Sequence, residues 1–310
     1  MQILSRYRKL LFGIFIAVAA GSCMFFFSLR PVDAERASPV IFEITRGESF
    51  SGIIQGLAGA DLIRSGLATE LLSLANGDAF RLKPGLYELN PAMSAADILD
   101  TLSREGNRLV TVTIPEGKDI FEIDAILSDA LVIHRGDLVR YVSSSAPYSP
   151  LEGRLFPDTY QFARGSDVRE VVQKFLDDFD AKAKPLLGVD AATAQKILTL
   201  ASILEKEVPG QDDQRIVAGI IEKRLQAGMY LDIDATVNYG NLVASSSYDT
   251  YRHQGLPPGP IGNPGLAAIT AALHPETSPY WYYISDPKTG KTIFAESLAE
   301  QNEHIAMYLR

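Results

Sequence analysis

The 310-residue sequence holds a single cysteine and only four histidines. Cys23 lies inside an apolar run, so the chain after it folds without a disulfide and without thiol chemistry. His134, His253, His274 and His304 are far apart and show no metal-ligand spacing, so neither a metal nor another cofactor is expected. Positive charge is scarce too. The 29 Lys and Arg against 38 Asp and Glu leave a formal charge of −9, and no basic stripe interleaved with aromatics offsets it, which excludes nucleic acid as an expected partner. No internal repeat or low-complexity segment stands out. The balance, 46% hydrophobic and 22% charged, suits a globular chain with one large or two modest cores.

What is present first is an uncharged run from Leu10 to Leu29, LLFGIFIAVAAGSCMFFFSL. About 20 such residues, rising ~1.5 Å each, match a hydrocarbon core of roughly 30 Å, so a transmembrane helix is expected. A cleaved signal peptide would carry a shorter run ending at small residues, whereas Phe25, Phe26 and Phe27 continue it beyond Ala20-Gly21-Ser22. The same continuation weakens a lipoprotein reading at Cys23. Arg6, Arg8 and Lys9 precede the run, while Arg30 and Arg36 follow it in the company of Asp33 and Glu35. Basic residues favour the cytoplasmic side, so the N-terminus is expected inside and the remainder outside. Residues 1–30 are read as cytoplasmic tip and span, and 31–38 as a polar linker.

The alternation in VIFEITRG predicts a strand, and ESFSGIIQGLAGADLI a helix with Ile53, Ile54 and Leu57 inward. A second helix is expected over Ala68 to Leu74, then a turn at Pro84-Gly85 into a strand, then a helix opened by Ser94 and closed at Gly106. LVTVTIPEG reads as a further strand and leads into a larger, mainly helical region in which LEGRLFPDTYQF is irregular. Helices are predicted at Val168 to Lys182, Ala191 to Glu207 and Asp213 to Ala227, the last capped by Asp212 and Gly228. Asn263-Pro264-Gly265 is expected to start another, with Asn as N-cap. Tyr280 to Ile284 and a partner ending at Phe294, joined through Asp286 to Gly290, read as a hairpin.

On the helix Ala191 to Glu207, Ile197, Ala201, Leu204 and Val208 form one stripe, with Glu205 and Glu207 on opposite sides of it. Carboxylates two positions apart do not face each other on a helix, so at most one points into a given cleft, and periodicity does not choose between them. Exposed glutamates are the common case. Downstream, LDIDATVNYG, YDTYRHQGLPPGPIGNPG and AALHPE are not demanded by helix or strand physics. Tyrosine faces and Asn or Asp groups in a Pro/Gly-rich loop suit a saccharide cleft, although each proline and glycine is also explained by loop rigidity.

Taken together, ITRGESFSGI, LKPGLYEL, VTIPEG, GRLFPDTY, ASILEKEV, LDIDATVNYG, GLPPGPIGNPG and AALHP resemble the MltG/YceG-like endolytic murein transglycosylases over nearly everything after the apolar run. The resemblance implies an α+β chain: an N-terminal transmembrane helix, a small LysM-like α+β domain over 39–108, and a larger, mainly helical catalytic domain over 109–310. It implies cleavage of the MurNAc–GlcNAc β-1,4 bond of nascent glycan strands at the inner membrane, with cell-wall synthases as the partner class. It maps the catalytic glutamate onto Glu205. One acid suffices for such chemistry: it protonates the leaving oxygen, and as a carboxylate it then takes the proton of the C6 hydroxyl that closes a 1,6-anhydro ring. A glycoside hydrolase needs a second carboxylate, for which Asp232 and Asp234 are candidates, so a muramidase-type hydrolase and an inactive peptidoglycan-binding scaffold remain the alternatives. Asp234, Thr236, Tyr239, Tyr251 and Asn263 are the expected substrate contacts. Glu205 is expected to be partly buried, against Leu204 or the GLPPGP loop, so as to stay protonated. Three positions depart from the family pattern: Ala235 for a proline, expected to alter only loop stiffness, and Thr292 and Gln301 for histidines, which puts a binding role of the C-terminal hairpin in doubt.

Overall fold

The computed structural model describes residues 2–36, 38–45, 47–77, 81–104, 109–143, 151–188, 190–286 and 288–308, with side chains from 12 onward. The chain forms a mixed α+β fold divided into two compact units. The first comprises residues 1–110 with the returning segments 130–132 and 162–166, and the second comprises the rest.

The first unit contains α1 (Gln2–Ser28), β1 (Val40–Ile44), α2 (Phe50–Gly59), α3 (Gly66–Asn76), β2 (Gly85–Leu89) and α4 (Ala95–Arg104). β1 and β2 pair antiparallel, with Val40 opposite Leu89 and Ile44 opposite Gly85. Phe42 and Ile44 face the core and Glu43 the solvent, as the period of two dictates. α2 is capped by Ser49, whose side chain accepts from the Gly52 amide at 3.1 Å, and it buries Ile53, Ile54 and Leu57 as expected. Ser94 and Asp97 form a reciprocal cap on α4. Tyr87 is fully buried, and its hydroxyl donates to the Leu102 carbonyl at 3.0 Å and to that of Lys83. Gly106, where α4 was expected to close, lies outside the described residues.

α1 contains nearly all of the expected Leu10–Leu29 run but begins earlier, at Gln2, and from Phe12 on most of its large apolar side chains are exposed, among them Phe15 and Met24. Among the described residues no helix is long and apolar enough to cross a membrane. The segment expected as a free linker is tied down at its start. Ala95 donates to the Leu29 carbonyl at 3.0 Å, Asp33 to that of Pro91 at 3.1 Å, and Arg64 to those of Pro31 and Val32 at 2.7 and 2.8 Å. The Arg64 guanidinium also covers the Phe27 ring.

β3 (Leu109–Thr113) pairs with β4 (Thr159–Ala163). The second unit contains α5 (Ile120–Asp129), α6 (Asp137–Ser143), α7 (Val168–Lys182), α8 (Lys184–Leu187), α9 (Ala191–Glu207), α10 (Gln211–Gln226), α11 (Asp234–Leu242), α12 (Leu266–Leu273), the hairpin β5 (Tyr282–Ser285) and β6 (Thr292–Ala295), and α13 (Leu298–Tyr308). α9 is its axis. Leu198 to Leu204 are buried without interruption, on every side of the helix, because α8, α10, α11 and α12 pack around it. A single amphipathic stripe was therefore too narrow a description of this helix.

Two expected starts move. α10 begins at Gln211 with Gly210 as N-cap, which leaves Asp212 and Asp213 in its first turn, where acidic side chains complement the helix dipole. α12 begins at Leu266 with Gly265 as N-cap, and Asn263 is drawn away into other bonds. LDIDATVNYG, which helix or strand physics did not demand, supplies α11. The hairpin is present one to two residues later than expected, and Pro287 of its turn lies outside the described residues. Gln301 donates to the Tyr283 carbonyl at 3.0 Å, tying α13 to β5. Leu57→Ala, at a side chain with 0% exposure, is expected to cost about 3 kcal/mol in urea unfolding of the full chain; a loss below about 1 kcal/mol would show that the first unit relaxes around the gap.

Candidate functional site

Glu205 stands in the last turn of α9. Ser202, one turn earlier and fully buried, donates to the Thr199 carbonyl at 2.8 Å and accepts from the Ile261 amide at 3.0 Å, which pins the Gly255–Gly265 run to the helix. Farther along that run the Gly265 amide donates to Glu205 Oε2 at 3.0 Å. The other wall is the Glu116–Gly117 turn. Gly117 has φ +78°, and a Cβ there would lie 3.1 Å from Glu205 Cγ, so both backbone and space call for glycine. The two turns are stitched together: Gly117 donates to the Asn263 carbonyl at 2.8 Å, and Asn263 to the Lys118 carbonyl at 3.0 Å.

Burial pushes the Glu205 carboxyl above the ordinary carboxylate range, the Gly265 amide opposes this, and the Glu116 carboxylate adds to it. The expected partial burial is present, supplied by the glycine turns at 117 and 265. Glu207 points elsewhere. Its carboxyl is also raised by burial, opposed by the Ala235 amide and reinforced by Asp234. Ala235 thus does more than alter loop stiffness: it sits in the first turn of α11, and its N–H, which proline would lack, serves Glu207.

The five expected substrate contacts separate into two groups. Asp234 and Tyr251 are exposed and joined to each other, the phenol donating to Asp234 Oδ1 at 2.8 Å, and they gather near Glu207. Thr236, Tyr239 and Asn263 are buried and offer no surface to a ligand. Thr236 bonds to the Ile233 carbonyl and to Thr250. Tyr239 and Asn263 both serve a residue that sequence reasoning passed over, Glu152, which is 3% exposed. Its Oε2 accepts from Tyr239 at 2.8 Å and from the Ile120 amide at 3.3 Å, and its Oε1 accepts from Asn263 Nδ2 at 2.8 Å. Burial pushes this carboxyl up to about 8. In the sequence Glu152 is one of three charged residues of the irregular LEGRLFPDTY segment, and nothing local marks it for burial.

An open groove of about 540 Å³ runs along α9 before Glu205, lined by Gln195, Lys196, Thr199, Leu256, Pro257 and Pro258. Among the described residues no cluster of His, Cys, Asp or Glu could hold a metal ion.

A family model described as YceG-like matches residues 42–307. The chain belongs to the YceG-like family. It is 28% identical over 318 residues to an endolytic murein transglycosylase of Bacillus subtilis strain 168, covering 91% of this chain and 88% of that one. It is 26% identical to an endolytic murein transglycosylase of Streptococcus pneumoniae serotype 2 (strain D39), covering 91% of this chain and spanning 60% of that protein's length. A crystal structure of a yceG-like protein from Listeria monocytogenes aligns with a TM-score of 0.51 at 28% identity, over 86% of this chain and 99% of that chain.

Two outcomes follow from the site's construction. Burial pushes the Glu152 carboxyl up to about 8, so the folded state holds its proton more tightly than the unfolded chain does; this group's contribution to stability is full below about 4.5 and is lost along a downward slope as pH rises to about 8. In Glu152→Gln that slope disappears from denaturation midpoints measured across the range, and an unchanged slope would assign it to other groups. Gly117→Ala, forced to hold φ +78° with its methyl against Glu205, is expected to lose about 1 to 2 kcal/mol of stability. Its activity at a temperature where it is fully folded should also drop, whereas full activity there would show that Glu205 tolerates displacement.

Proposed function

We propose that this YceG-like chain is a peptidoglycan lytic transglycosylase that cuts glycan strands internally, with Glu205 as the acid that protonates the leaving oxygen and then, as carboxylate, receives the proton of the C6 hydroxyl. The observation that carries the assignment of Glu205 is its half-buried carboxyl, raised by burial and held by the Gly265 amide between two glycine turns. Burial that raises a carboxyl favours the protonated form that the first step needs, and one fixed hydrogen bond leaves the second oxygen for the substrate. The open groove farther up α9, lined by Pro257 and Pro258 together with Gln195 and Lys196, is mainly apolar with a few polar groups, a lining that suits the face of a sugar ring.

The names of the relatives support the activity and a murein substrate, which favours an extracytoplasmic position for the catalytic part of the chain. The first unit is read as LysM-like on its resemblance. Residues 10–29 are read as a single-pass anchor in the inner membrane with the N-terminus in the cytoplasm, supported by the uncharged run and by the exposed apolar side chains of α1. Cell-wall synthases are the partner class this placement favours. Glu207 gives a second reading of the acid, because its carboxyl is also raised and Asp234 and Tyr251 gather around it.

The deciding experiment is mass spectrometry of purified glycan strands after incubation with the protein, Glu205→Gln and Glu207→Gln. Internal cuts ending in 1,6-anhydroMurNAc, reduced at least about 100-fold in Glu205→Gln and retained in Glu207→Gln, are expected. The reverse pattern would move the acid to Glu207. Reducing MurNAc ends would make the protein a hydrolase, and no cleavage by the parent chain would leave the scaffold reading.

A further inference from the structure

One carboxylate at the site has no part in the single-acid scheme. Glu116 crosses over Gly265 so closely that a Cβ there would lie 1.7 Å from its Oε1 and 2.3 Å from its Cδ. The amide of the same glycine donates to Glu205 Oε2 at 3.0 Å. With ~1.5 Å backbone bonds, two carboxylates that flank one residue in this way lie within about 8 Å of each other. Asp232 and Asp234, the pair named from the sequence as a second carboxylate, have no such relation to Glu205; Asp234 lies by Glu207.

Glu116 is exposed, and among the described residues no donor or cation engages its carboxylate. The cations around it are committed elsewhere. Lys118 pairs with Glu122 at 2.5 Å, and Lys206 lies 3.6 Å from Asp119 and 3.5 Å from Glu122. Gly265, against which the Glu116 side chain lies, is buried, while Glu116 itself is exposed at the surface.

Stereochemistry limits what it can do. In a 1,6-anhydro sugar made from a β-linked MurNAc, O6 occupies the face that the leaving O4 vacated. One displacement inverts C1, so this outcome needs two, and the first nucleophile comes from the opposite face. The substrate carries one there, the carbonyl oxygen of its 2-acetamido group. Its attack gives a positively charged oxazolinium whose N–H requires an acceptor.

We propose that Glu116 is a second catalytic residue, the carboxylate that accepts the acetamido N–H of MurNAc and offsets the oxazolinium charge. Glu205 gives its proton to O4 as the C1–O4 bond breaks and the bond from C1 to the acetamido oxygen forms. O6 then attacks C1, the acetamido oxygen leaves with its electron pair, and Glu205 recovers its proton from O6. Glu116 exchanges no proton with the substrate. The proposal rests on the transglycosylase reading and on Glu205 as its acid.

The test compares the full chain with Glu116→Gln and Glu116→Asp on purified glycan strands. Turnover to anhydro ends and KM are measured together with the affinity for a MurNAc-derived thiazoline, a neutral bicyclic mimic of the intermediate. Since Glu116 is exposed, both variants should unfold at the parent's midpoint. We expect kcat to fall roughly 100-fold in Glu116→Gln with KM little changed, anhydro products retained, and thiazoline affinity at least about 10-fold weaker. Glu116→Asp should fail similarly, because it keeps the charge but is one methylene too short to reach. If Glu116→Asp restores the parent rate while Glu116→Gln only moves the pH profile, Glu116 acts through its charge on Glu205 and the proposal is overturned. Undiminished thiazoline binding in both variants overturns it too. A parent chain that makes no anhydro ends removes the underlying reading, and a parent that makes them while Glu116→Gln is unimpaired removes only the proposal.

Discussion

The side chain of Asn263 is the joint on which the site depends. Its Oδ1 accepts from the Leu155 amide at 2.8 Å, while its Nδ2 donates to the Lys118 carbonyl at 2.9 Å and to Glu152 at 2.8 Å. Its own backbone bonds to 117 and 118 in both directions. Segments separated by more than 100 residues are thereby held in one plane of hydrogen bonds with no exposure to water, a setting in which every unmade bond carries a full desolvation cost. The two glycine turns that grip Glu205 lie immediately beside this joint, so the setting of the Glu205 carboxyl is inherited from a buried amide.

The acidic residues of the second unit have different tasks because their surroundings differ. Glu152 is sealed in the core and raised to about 8. Glu205 is half-buried, with one amide on it and one oxygen left over, and Glu207 has a comparable setting against a different helix start. Glu116 is in water. Glu205 and Glu207, two residues apart on one helix, are sent to different neighbours by the rotation of the helix itself. Carboxyl groups in unlike environments are what acid and base chemistry near neutral pH requires.

The first unit adds a constraint of a different kind. Bonds from Ala95, Asp33 and Arg64 hold the residues that follow α1, so this helix continues into a packed domain rather than into a slack tether.

Local chemistry was legible from the sequence wherever neighbours in the chain decide the outcome. The cap Ser94, the inward residues Ile53, Ile54 and Leu57, the strands β1 and β2 and the extent of α9 follow from spacing of three to four residues or of two. The run of motifs carried the family. Side-chain destinations set by distant segments were not legible. Asn263 has the sequence of an N-cap and is captured instead by Glu152 and Lys118, Thr236 and Tyr239 are polar residues turned into the core, and Glu152 itself is a carboxyl in a place where burial is costly unless partners arrive from elsewhere. The meeting of Glu116 with Gly265 and Glu205 lies in the same class. Periodicity records how a residue relates to its own helix or strand; only tertiary packing decides which remote backbone comes within hydrogen-bonding distance of it, and the chemistry of this site is made of those remote approaches.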